Sequence, residues 1–201
     1  MCRCIRFTVL LVSLLVWGSA LAHESDRLET QIEEGWKERR VTAVRLGDSG
    51  IVVDGKLDDP AWTSASVSSD FRQRDPIDGD PPTERTEVRV VYDDDAVYFA
   101  VDCLDSEPDK IWAPLERRDF WVDGDRVIIN VDARHDHKTG FVFGMGPSGW
   151  KWDAVTHKDG RTDSSWDGVW IGKAQIHDGG WSCEFKIPYH VLRFSPSPEH
   201  V

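Results

Sequence analysis

Ten tryptophans in a chain of 201 residues carry most of the chemical content of this sequence. Several stand beside charged side chains. Trp112, Arg118, Asp119 and Trp121 fall within one stretch, Trp150 and Trp152 flank Lys151, and Trp166 and Trp170 stand around Asp167. An indole face stacks on the axial C–H bonds of a sugar ring, while carboxylates and guanidinium forks pair with its hydroxyls. Tryptophan beside Asp and Arg on fixed loops is therefore the composition that carbohydrate binding needs. The competing reading is packing, since most large aromatic rings are core. Trp62 and Trp181, each at the start or end of an apolar stretch, are assigned to the core on that ground.

Acidic clusters offer a second chemistry. Asp54, Asp58 and Asp132, with Asp59, Asp93 to Asp95 and Asp136, are oxygen donors of the kind that Ca²⁺ takes, although Asp is equally at home in solvated turns. His135-Asp136-His137 sets two imidazoles one residue apart, but no third ligand is near in sequence, and a polar turn is the preferred reading over zinc. No carboxylate pair is singled out by spacing for glycoside hydrolysis. There is no G-x-S-x-G elbow, and Gly144 to Gly149 is interrupted by Pro147, so it is not a phosphate cradle. The expectation is a protein without catalytic activity.

The elements that must position these residues follow from charge and periodicity. With 24 Lys plus Arg against 36 Asp plus Glu, the formal charge is −12, and no basic stripe exists to neutralise phosphates, which excludes a nucleic-acid partner. Hydrophobic residues make up 40% of the chain, enough for a core. Arg3 and Arg6, the uncharged run Phe7 to Trp17 and the small-residue pattern Ala20-Leu21-Ala22 read as a cleaved secretory signal over residues 1–22. Export to the periplasm, the outer membrane or the exterior is expected. Cys2 and Cys4 leave with it. Cys103 and Cys183 sit on the apolar parity of their strands and face the core, as a disulfide or as buried thiols.

Residues 23–40 form a charged leader with Leu28, Ile32 and Trp36 at a spacing of four, helical or loose. From residue 41 the period becomes two. Val41 to Leu46, Ile51 to Val53, Glu87 to Tyr92, Val97 to Cys103, Val127 to Val131, Phe141 to Phe143, Val169 to Ile176 and Trp181 to Ile187 read as strands. Turns at Asp93 to Asp95 and Asp178 to Gly180 favour antiparallel hairpins, so the fold class is all-β, an antiparallel β-sandwich of the jelly-roll or immunoglobulin-like kind over residues 41–201, with a closed barrel as the alternative. The longest stretch without strand signal, Asp105 to Asp123, holds Trp112 and Trp121 and reads as a functional loop.

Ile51-Val52-Val53-Asp54-Gly55-Lys56-Leu57-Asp58-Asp59-Pro60-Ala61-Trp62 resembles the opening of family 9 carbohydrate-binding modules, where a strand leads to Asp-Gly-x-Leu-Asp and then a Trp. Thr86 to Tyr98 is similar to the family's strand, acidic turn, strand pattern, Asp125 to Asp132 to its Asp-flanked strand, and Trp181 to Pro188 to its Gly-Trp-x-x-Glu-x-x-Ile-Pro ending. The resemblance covers roughly residues 41–195. It implies a sandwich that binds oligo- or polysaccharide between tryptophan rings, structural Ca²⁺, and a part in carbohydrate catabolism through an attached or partner protein.

More narrowly, Pro108-Asp109-Lys110-Ile111 and Arg117-Arg118-Asp119 look like bacterial proteins that carry such a module ahead of an outer-membrane β-barrel. There a further strand and a barrel follow the segment equivalent to Leu192-Arg193-Phe194. The chain is accordingly expected to be a fragment that lacks the last strand and the barrel. The alternative function is a structural periplasmic domain that binds no sugar.

Overall fold

The computed structural model describes residues 41–47, 50–157 and 160–193. The secretory segment 1–22, the leader 23–40 and residues 194–201 lie outside the described residues. Side-chain alternation sets the layers. In β3 (Ala96–Leu104), Val97, Phe99, Val101 and Cys103 face one way and Ala96, Tyr98 and Ala100 the other. In β9 (Gly180–Pro188), Trp181, Cys183, Phe185 and Ile187 join the first set. The two strands pair from Ala96 opposite Pro188 to Leu104 opposite Gly180, so their apolar rows make one continuous wall.

β2 (Thr86–Tyr92) and β8 (Ile171–His177) flank that pair antiparallel, through the two hairpin turns read from the sequence. A short β1 (Val44–Arg45) completes a five-stranded sheet of order β1-β2-β3-β9-β8. Its pairing with β2 is parallel, a departure from the antiparallel expectation. Residues 46–85 between them are long enough for the crossover that a parallel pair requires.

The second sheet has the order β4-β5-β6-β7, from β4 (Val127–Val131), β5 (Gly140–Met145), β6 (Lys151–His157) and β7 (Arg161–Asp163), every pairing antiparallel. Two separate sheets make this a β-sandwich and not a closed barrel. β6 and β7 were not anticipated. In β6, Lys151 and Asp153 alternate with Trp152 and Ala154, but the charged parity is the one that shares its face with Phe143, where a core strand carries apolar residues, and β7 is exposed throughout.

Between the sheets, Phe143 and Met145 pack with Trp181, Cys183, Phe185 and Ile187, and Trp170 stacks on Phe185 with ring centroids 5.5 Å apart and 9° between planes. Burial of each such side chain contributes about 1.5–3 kcal/mol. Trp62 and Trp181 are buried, as expected. Cys103 and Cys183 are buried thiols, with no disulfide among the described residues.

Each sheet also has a covered outer face. On the five-stranded sheet, Ile51, Leu57, Ala65 and Trp62 of α1 (Pro60–Ser64) pack on Ala96, Tyr98 and Ala100. Ile51 to Val53 does not form the expected strand. The amides just beyond it, Asp54 and Gly55, donate to Glu184 Oε2 at 2.9 Å each, and Trp62 Nε1 donates to Glu184 Oε1 at 2.9 Å, so a single buried carboxylate fixes this segment in place of a strand ladder. Gly55 has φ +94°, and a Cβ there would stand 2.8 Å from the carbonyl carbon of Ala174, so only glycine lets this turn lie against β8. On the four-stranded sheet, Val142, Trp150, Trp152 and Ala154 form a smaller cluster with Val122 and Ile128. The described chain closes with α2 (Tyr189–Leu192).

Candidate functional site

The stretch from Ile111 to Asp125 packs by Ile111 on the core between the sheets and by Val122 on the outer cluster of the four-stranded sheet, and it is tied along its length. The Trp112 amide donates to Asp125 Oδ2 at 2.8 Å, and the Asp125 amide donates back to the Trp112 carbonyl at 3.0 Å. Ser148 Oγ donates to the Pro114 carbonyl at 2.8 Å, the Asp119 amide to the Lys151 carbonyl at 3.1 Å, and Trp150 Nε1 to the Phe120 carbonyl at 2.7 Å. Asp125 is buried, and burial pushes its carboxyl above the usual range even though the Trp112 amide favours the charge. With the backbone held, apolar side chains are left outside. Trp112 is 58% exposed, Phe120 62% and Trp121 43%.

Trp121 stands edge-on to two other rings, 6.0 Å from Trp150 and 5.2 Å from Trp152, and the Arg126 guanidinium carbon lies 4.5 Å from its centroid. This arrangement corrects the expectation for Trp150 and Trp152. Both are buried, and they form the base under Trp121 instead of offering faces to a ligand. Trp170 is buried too, between Phe185 on one side and Lys151 Nζ, 3.9 Å from its centroid. Trp166 packs half-buried against Phe141 and Phe143, at 5.2 and 6.0 Å. Of the six candidate tryptophans, Trp112 and Trp121 keep substantially exposed rings.

The polar candidates converge on a residue that sequence reasoning missed. Asp153, wholly buried, accepts from Arg118 Nη2 at 2.7 Å, Trp170 Nε1 at 2.7 Å and the Gly168 amide at 3.2 Å. Arg118 also donates to the Gly168 carbonyl at 2.8 Å and forms ion pairs with Asp167 and Asp119. Burial disfavours the Arg118 charge, but the Asp153, Asp167 and Asp119 carboxylates together outweigh it and keep the guanidinium firmly protonated. Lys151 was noticed only as a spacer between two tryptophans. It donates to the Trp170 carbonyl at 2.8 Å, and burial, reinforced by Arg118, pushes its ammonium down to about 8. The usable signal for both residues was a charged position alternating with Trp152 and Ala154 in a strand.

Asp119 has φ 69°, the left-handed region that Asp tolerates better than most residues. Its Oδ1 is buried without a hydrogen-bond partner among the described residues, and burial raises the carboxyl above its usual range while Arg118 opposes the rise. Asp119 Oδ2 lies 3.5 Å from Arg118 Nε, so a carboxylate and a guanidinium fork stand side by side, a pairing that can accept a hydroxyl hydrogen and donate to a hydroxyl oxygen.

The metal candidates do not converge. Asp54 accepts from the Lys56 amide, and Asp132 accepts from the amides of Arg134, Asp136 and His137 in its own turn. Neither they nor Asp58 belong to any group of three His, Cys, Asp or Glu able to hold a metal ion among the described residues. His135 and His137, both with positive φ, lie in that Asp132-centred turn, in keeping with the polar-turn reading.

A family model described as carbohydrate family 9 binding domain-like matches residues 53–201. The chain belongs to this family. Among solved structures, the family 9-like chain is similar to a carbohydrate binding module family 9 from Caldicellulosiruptor kristjanssonii in complex with cellotriose, at 16% identity, a TM-score of 0.51, and coverage of 79% of this chain and 72% of that one. It is also similar to a Bacteroides uniformis protein provisionally named as carbohydrate-binding, at 9% identity, a TM-score of 0.55, and coverage of 76% and 75%. At these identities the likeness establishes the fold. No curated protein matches the family 9-like chain.

Proposed function

We propose that this family 9-like domain binds carbohydrate without altering it, with the indole faces of Trp112 and Trp121 as the stacking surfaces and Arg118 and Asp119 as the hydroxyl-pairing rim. One observation carries the reading. Large aromatic rings stay 58% and 43% exposed on a loop whose backbone is pinned at both ends and in the middle, so the cost of ordering the loop is met in folding and not on binding. The similar module from Caldicellulosiruptor kristjanssonii, solved in complex with cellotriose, supports a saccharide as the ligand class. In this reading the domain holds the glycan without cleaving it, and carbohydrate breakdown enters as the process that such a module serves through an attached or partner enzyme.

A second reading is a structural domain that binds no sugar. The packing of Trp150, Trp152, Trp166 and Trp170 favours it, because that many rings spent on the core explains much of the tryptophan content without a ligand. Indole fluorescence separates the two. A saturable change with soluble oligosaccharides, lost in Trp112→Ala, is expected from the first reading, and a flat titration across a glycan panel from the second.

A further inference from the structure

The outer surface of the five-stranded sheet carries a pocket of about 190 Å³ with no contribution from the tryptophan loop; it is lined by Leu57, Trp62, Thr63, Arg89 and Asp102. It lies where the covering segment stops. That segment packs over Ala96, Tyr98 and Ala100 of β3, and the next outward position on the strand is Asp102. Leu57 and the Trp62 ring, which the Glu184 bond holds in place, supply the apolar part of the lining. Arg89 reaches in from β2, where Ala100 is its cross-strand neighbour and Asp102 lies on the diagonal.

The charges around the pocket indicate the ligand class. Glu87 joins Arg89 at 2.9 Å and Arg85 at 2.8 Å, and Asp102 Oδ1 lies 3.0 Å from His177 Nε2. Two guanidinium groups stand against two carboxylates. An anionic ligand that reached Arg89 would also face Asp102 and Glu87, and a cationic one would face both arginines. A neutral, hydroxyl-rich ring meets no such opposition. It finds a fork of donors on Arg89, an acceptor carboxylate on Asp102 and apolar surface for its C–H face. The volume falls below the 300–1,000 Å³ of sites for drug-sized ligands, which suits one ring and not a chain of them.

We propose that this pocket is a second saccharide contact, holding one neutral sugar residue on the face of the sandwich opposite the tryptophan loop. The proposal rests on the carbohydrate-binding reading above and adds a separate site to it. Two weak contacts on opposite faces would let one domain engage two glycan segments and gain by multivalency.

The test is a glucose titration, repeated with cellotriose, of the ¹⁵N-labelled chain, following the amides of Thr63, Arg89 and Asp102 together with the indole N–H signals of Trp112 and Trp121. The pocket amides should shift saturably in the wild type and equally in Trp112→Ala. Affinity there should fall about tenfold or more in Asp102→Asn, and similarly in Thr63→Phe, which blocks the mouth from an exposed helix position without touching the charged pair. Pocket amides that stay still while the loop signals move overturn this proposal and leave the loop site standing. Pocket shifts without loop shifts sink the loop reading instead. Pocket shifts that persist unchanged in Thr63→Phe, or silence at both places with both sugars, also overturn the pocket.

Discussion

Arg118 and Asp153 meet at 2.7 Å where an exposed loop joins a strand position that is wholly buried. The carboxylate is also the acceptor for Trp170 and Gly168, so one group fastens the loop after Ile111, the segment before β8 and strand β6 together. Asp153→Ala removes the acceptor from three donors at once. It should destabilise the fold by about 3 kcal/mol, in the range seen when one partner of a buried ion pair is deleted, read from the urea midpoint at unchanged m-value. A loss below about 1 kcal/mol would mean that the hub is dispensable.

Glu184 and Trp62 lock the covering segment to the five-stranded sheet. Trp62→Phe keeps most of the ring but strands Glu184 Oε1 without its donor, which should cost about 1–3 kcal/mol in denaturant unfolding. The same carboxyl carries a pH signature. Burial raises it above the ordinary Glu range even though the amides of Gly55 and Asp54 and the Trp62 indole favour the charge. The folded state therefore binds its proton more tightly than the unfolded chain, and this contribution to stability is lost as pH rises through the window above the usual Glu value. Glu184→Gln should flatten the stability profile in that window; an unchanged profile would assign the titration to another group.

Lys151 gives the opposite sign at alkaline pH. Its ammonium, pushed from 10.5 down to about 8, holds a proton less tightly in the folded state than in the unfolded one. Stability should consequently rise as pH increases from about 8 toward 10.5 and level off beyond. Unfolding curves of the wild type and Lys151→Met across that range check the prediction, since the methionine variant should lose the slope.

Exposure separates binding rings from structural ones. Trp112→Ala removes a largely solvent-facing ring and should change stability by no more than about 0.5 kcal/mol, whereas Trp150→Ala or Trp152→Ala opens a cavity under Trp121 and should cost about 3–5 kcal/mol. Thermal melts of the three variants, measured beside their sugar titrations, distinguish loss of a ligand contact from loss of fold.

The strands that face the core on regular apolar alternation were legible in the sequence. Val97 to Cys103 and Trp181 to Ile187 pointed inward on the expected parity, and the acidic and glycine turns gave the hairpins. Ile51 to Val53 misled because its apolar pattern serves packing under α1 while the adjoining backbone bonds go to Glu184. β6 was missed although Lys151 and Asp153 alternate with Trp152 and Ala154, because charged residues fill the face that it shares with the core residue Phe143. In the candidate site, Arg118 and Asp119 were found and their partner Asp153 was not. Sequence spacing also cannot tell a ring that stacks on a ligand from one that supports it, as Trp121 and Trp152 illustrate at 5.2 Å from each other.

The central claim is that the exposed rings of the pinned loop form a sugar-binding face. Isothermal titration calorimetry of the purified chain with cellotriose and a panel of neutral oligosaccharides tests it most directly. A saturable heat with at least one of them, abolished in Trp112→Ala/Trp121→Ala while the melting midpoint of Trp112→Ala stays near that of the wild type, is the predicted result. Heats that are absent across the panel, or that survive the double substitution unchanged, contradict it.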